Sequence, residues 1–137
     1  MKILRSLFTG SFIILLSALN LFNLNAQQQV KPWPVPDEYK TIENPVPESE
    51  TSIKAGMTLY VKYCATCHGR SGLGDGVKAR TLKDFCGDFS GAWYQDQTDG
   101  EHFYKTKFGR GEMPKYEGIV SDENIWYIVN YMRTFKK

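Results

Sequence analysis

Cys64-Ala65-Thr66-Cys67-His68 is the stretch of sequence on which the reading of this chain turns. Two thiols three residues apart, followed at once by a histidine, form the attachment pattern of c-type haem. The thiols add to the two vinyl groups, and the imidazole meets the iron from one side. One helical turn places Cys64 and Cys67 on the same side, next to His68. Two other chemistries use Cys-x-x-Cys. A thioredoxin-like site needs it at a strand-to-helix junction inside a βαβ pattern, and the sequence has no such pattern. A zinc site needs a second ligand pair, which Cys86 and His102 do not supply at the usual spacing. An odd total of three cysteines also argues against a disulfide framework. The expectation is one covalent haem c, held by Cys64 and Cys67, with His68 as the proximal axial ligand of its iron.

The ligand on the opposite face must come from elsewhere. Met113, within Gly109-Arg110-Gly111-Glu112-Met113-Pro114, is the best candidate. It falls in a loop between predicted helices, where glycines permit close backbone approach and Pro114 restricts the chain after the ligand. A thioether favours ferrous iron, so a His68/Met113 pair raises the reduction potential relative to two histidines. The rivals are Met57 on the helix before the motif, Met132 on the last helix, His102 read as a solvated helix-surface residue, and an open iron position. Cys86 reads as a small apolar residue or, in an oxidising compartment, as one half of an intermolecular disulfide.

Working outward, three helices are expected and no run alternates long enough for a sheet. The first covers about 53–63, capped by Thr51 or Ser52, with Ile53, Gly56, Met57, Tyr60 and Cys64 on one face. Gly56 there weakens the helix unless another helix crosses at that point. The second lies between the capping box Thr98-Asp99-Gly100-Glu101 and Gly109. The third starts at Ser121 and buries Ile125, Ile128, Val129 and Met132. Gly69, Gly72, Gly74 and Gly76 match no nucleotide loop and read as a tight turn beneath the haem edge.

Residues 27–52 carry five of the six prolines and read as an extended arm. Its Trp33, Val35 and Tyr39 lie along the domain surface, or the segment is a plain tether. Residues 1–26 have the basic start, apolar centre and small-residue end of an export signal, with an uncleaved anchor as the alternative. The whole chain has 17 basic and 15 acidic side chains. Loss of Lys2 and Arg5 with the signal leaves it formally neutral. Nucleic-acid binding through a basic face therefore has no support.

Taken in order, these pieces resemble a class I cytochrome c. The matching elements are Gly56-x-x-x-Tyr60-x-x-x-Cys64-x-x-Cys67-His68-Gly69, then Gly72-x-Gly74-Asp75-Gly76, then Gly111-x-Met113-Pro114, then 125–133. The resemblance implies an all-α cytochrome c fold, three to four helices wrapped around one haem in residues 53–137. It implies that the first and last helices cross near Gly56 and Tyr60, and that His68 and Met113 are the axial ligands. It implies one-electron transfer through the haem edge, with redox partner proteins as donor and acceptor. The setting expected is a respiratory chain outside the cytoplasm, in the periplasm or its equivalent. The alternatives are a haem subunit of a membrane-bound respiratory complex, or a haem enzyme or gas sensor with an open iron position. The proline-rich arm and Cys86 lie outside the family pattern.

Overall fold

A computed structural model describes residues 32–137; the export-signal reading and the first residues of the arm lie outside them. The helices in chain order are α1 (Asp37–Lys40), α2 (Glu50–Tyr63), α3 (Ala65–His68), α4 (Ala92–Gln95), α5 (Asp99–Phe108) and α6 (Asp122–Arg133), with a 3-10 turn at Ala79–Thr81. Among the described residues there is no strand, only an isolated bridge between Arg110 and Met113. No helix among them is long and apolar enough to cross a membrane.

Local chemistry sets the helix starts. Ser49, not Thr51 or Ser52, caps α2: its hydroxyl accepts from the Ser52 amide at 3.1 Å, and the Ser52 hydroxyl accepts from the Ser49 amide at 2.8 Å. The helix therefore begins three residues earlier than expected, because serine at the third position closes the box that glutamate usually closes. The expected box at Thr98 forms, with Glu101 N–H donating to Thr98 at 3.2 Å and Thr98 N–H to Glu101 at 2.8 Å. The arm is not extended throughout. Pro36 stands outside α1, where its fixed φ does no harm, and Asp37 and Glu38 complement the positive end of that turn.

Two long helices, α2 and α6, cross closely. A Cβ at Gly56 would overlap the Tyr127 carbonyl and stand 2.9 Å from the Tyr131 Cβ. Tyr60, one turn on, is fully buried with its ring edge-on to Tyr131 and Phe135, each at 5.3 Å. On α6 the expected stripe of Ile125, Ile128, Val129 and Met132 is buried, together with Trp126, which stacks on Phe103 at 4.2 Å.

Polar side chains of α6 gather the remaining elements. Arg133 donates to the Gln95 and Gln97 carbonyls and to Asp99, each at 2.7 Å, so the end of α4 and the start of α5 share one guanidinium. Buried Asn130 accepts from Asn44 at 2.7 Å and donates to the Val46 carbonyl at 3.1 Å, fixing the arm to α6.

Because the Gly56 contact is with backbone, a Gly56→Ala change cannot be absorbed by a rotamer. We expect a loss of about 3 kcal/mol in urea unfolding, the upper end for overpacking. An unchanged midpoint would show that the crossing is looser than described.

Candidate functional site

The motif lies where α2 ends. The Cys64 amide donates to the Tyr60 carbonyl at 2.8 Å. The Cys67 and His68 amides then both donate to the Cys64 carbonyl, at 3.1 and 3.0 Å. One turn thus carries both thiols and the imidazole. Burial, and after it neighbouring Cys67, pushes the Cys64 thiol up to about 12, so it is held neutral.

His68 is oriented by its second nitrogen. Nδ1 lies 2.6 Å from the Cys86 carbonyl. A carbonyl only accepts, so Nδ1 carries the proton and Nε2 keeps its lone pair for a metal. Burial lowers the pKa of this ring against the opposing effect of that hydrogen bond, favouring the neutral form that binds iron. The Phe89 ring backs the imidazole at 4.6 Å.

The glycine run folds back on this turn. Gly74, Gly76 and Lys78 amides donate to the carbonyls of His68 (2.9 Å), Cys67 (3.2 Å) and Thr66 (2.9 Å). Tyr60 donates its hydroxyl to the Gly69 carbonyl at 2.9 Å. The carbonyls at the end of a helical turn need such partners, and here every one of them is supplied from nearby chain.

Met113 stands half-buried in a tight hairpin. Arg110 and Met113 exchange amide-to-carbonyl bonds at 3.0 Å in both directions. Gly109 opens the hairpin at φ +62°, a conformation that glycine adopts without strain. The Glu112 carboxylate accepts from the Lys83 and Asp84 amides at 2.7 and 3.0 Å. The segment 83–86 therefore touches both loops: its amides hold the Met113 hairpin, and its Cys86 carbonyl holds His68. Beyond the hairpin, Tyr116 donates to the Tyr63 carbonyl at 2.6 Å, beside Cys64.

The rival ligands are placed differently. Met57 is exposed on α2. Met132 is buried, and its sulfur accepts from the Tyr94 hydroxyl at 3.1 Å. His102 is not a solvated surface residue: it is 2% exposed, stacked on Tyr94 at 4.2 Å, on the face of α5 that also buries Phe103 and Thr106. Its Nε2 has no hydrogen-bond partner. Cys86 is half-buried and free.

Several contributors escaped the sequence reading. The Cys86 carbonyl is backbone and leaves no mark in residue type. Glu112 and Tyr116 act on amides and carbonyls far along the chain, so no local pattern signals them.

Two thiols on one turn, an imidazole whose Nδ1 is hydrogen-bonded and a thioether on a hairpin tied to the same 83–86 segment are a donor set that fits haem. The family described as cytochrome c oxidase, cbb3-type, subunit III matches residues 51–132. This chain belongs to that family. It is a class I c-type cytochrome with an all-helical cytochrome c fold, and such a domain implies haem c and electron transfer. Among solved structures, the KustC0563 c-type cytochrome is 28% identical, over 60% of this chain and 98% of its own, with a TM-score of 0.53. A chain of the Kuenenia stuttgartiensis reducing HAO-like protein complex Kustc0457/Kustc0458 is 24% identical, over 79% of this chain and 52% of its own, with a TM-score of 0.62. At that identity the second likeness speaks for the fold alone. None of the curated proteins compared matches the chain.

Burial first, then the Arg133 and Lys105 charges, drop the His102 pKa to about 3 from an ordinary 6.5. The unfolded chain therefore binds a proton below 6.5 that the folded cytochrome refuses. Stability is full above pH 6.5 and falls towards pH 3, by about 1 kcal/mol per unit from this group. Urea titrations at pH 7 and pH 4.5 should show a smaller loss for His102→Phe than for the wild type. Equal losses would mean that His102 is protonated in place.

Proposed function

We propose that this cytochrome is a one-electron carrier with a single haem c, attached through Cys64 and Cys67 and ligated axially by His68 and Met113. It serves a respiratory chain outside the cytoplasm, between protein donors and acceptors. The observation that carries this reading is the bond from His68 Nδ1 to the Cys86 carbonyl, which leaves Nε2 as the imidazole's donor and fixes the ring's aim. The haem, when bound, supplies the ferrous–ferric couple. The protein's residues do the rest. The attachment turn and its glycine loop would hold the haem on the His68 side, the Arg110–Met113 hairpin would supply the thioether, and Phe89 backs His68.

A second reading, a haem subunit fixed in a membrane-bound complex, draws support from the family's description as an oxidase subunit. Cell fractionation separates the two, since recovery of the protein only with a large membrane assembly would rule out the diffusing carrier.

The ligand assignment is tested by the optical spectrum. The ferric wild type should show the weak long-wavelength band of methionine on iron, and Met113→Ala should lose it. The reduced variant should also bind carbon monoxide rapidly where the wild type resists it. A wild type lacking the band would overturn Met113 as ligand.

A further inference from the structure

We propose that Pro32 and Trp33 of the arm are positioning residues for Met113, acting through Arg110. The proposal rests on Met113 being the second axial ligand. Arg110 is the hydrogen-bonding partner of Met113 across the hairpin, so where its backbone goes the methionine follows. Its guanidinium points away to the arm. Nη1 donates to the Pro32 carbonyl at 2.6 Å, and Cζ lies 4.4 Å from the centre of the Trp33 ring. Lys105 approaches the same ring at 5.9 Å. A neutral carbonyl and an aromatic face thus hold a cation that could otherwise turn freely in water.

The arm is itself well fixed, so it has something to hold with. Val35 is 6% exposed. Tyr39 sets its ring edge-on to Tyr104 at 4.8 Å and Phe108 at 5.7 Å. A Cβ at Gly100 would overlap the Tyr39 carbonyl, so the arm's backbone lies directly on α5. Asn44 and Val46 are bonded to Asn130 further along. The hairpin is therefore gripped at two points, by the arm through Arg110 and by the Lys83 and Asp84 amides through Glu112. A thioether is a neutral, weak ligand, and the time it spends on iron depends on how firmly its loop is held.

The test uses the full-length holoprotein with Trp33→Leu, Arg110→Gln and Trp33→Phe. In each, the long-wavelength ferric band and the helical circular dichroism are followed together through a denaturant titration. Carbon monoxide uptake by the reduced protein is timed. Trp33→Leu and Arg110→Gln should lose the band before the helices unfold and take up carbon monoxide about tenfold faster, the scale of effect seen when an outer-shell partner of a metal ligand is removed. Trp33→Phe, which keeps an aromatic face for the guanidinium, should stay close to wild type. If band and helices are lost together and carbon monoxide uptake is unchanged, the arm only stabilises the domain and the proposal fails. A wild type without the band overturns the ligand reading, and this proposal with it. Should Trp33→Leu not fold, Arg110→Gln at its exposed position decides alone.

Discussion

Where α2 and α6 cross, the absence of a side chain at Gly56 lets one helix rest on the other's main chain, with the Tyr127 carbonyl filling the space a Cβ would take. That contact fixes the angle at which α2 delivers its last turn, and the attachment motif begins at that turn. Tyr60 carries the same constraint forward, because the side chain packed against Tyr131 and Phe135 also binds the Gly69 carbonyl. From α6 the order spreads further: Arg133 collects α4 and α5, and Asn130 collects the arm. In a domain this small, few apolar residues are available for a core, so one close crossing has wide reach.

The site is assembled largely from peptide groups. Carbonyls of Cys86 and Gly69 accept from His68 and Tyr60, and amides of Lys83 and Asp84 donate to the Glu112 carboxylate. A carbonyl behind the imidazole makes it a better donor without the full push that a carboxylate would give.

Much of this was legible in the residues. The attachment motif and the caps at Thr98 and Ser121 are local, and local hydrogen bonding decides them. The stripe on α6 repeats at helical spacing, and burial follows from that. Other features depended on contacts between distant segments. Ser49 carries no local capping signature, because its partner at the third position is another serine. His102 reads as surface when α5 is taken alone, since only the stacking of Tyr94 against that face reveals it as core. The choice between tether and packed arm for residues 32–49 rests on contacts with Arg110, Gly100 and Asn130, which lie from about 60 to nearly 90 residues away and have no counterpart in local pattern.

The bond from His68 to residue 86 has a consequence for how this protein can vary. Its acceptor is a peptide oxygen, and all twenty amino acids bring one. Inheritance can therefore replace the letter at position 86 and still retain the imidazole's partner, provided the loop keeps its course. What is passed on is a path of the chain, invisible to a comparison of side chains. A thiol can occupy that position because the neighbouring imidazole bonds only to its peptide oxygen and asks nothing of its side chain.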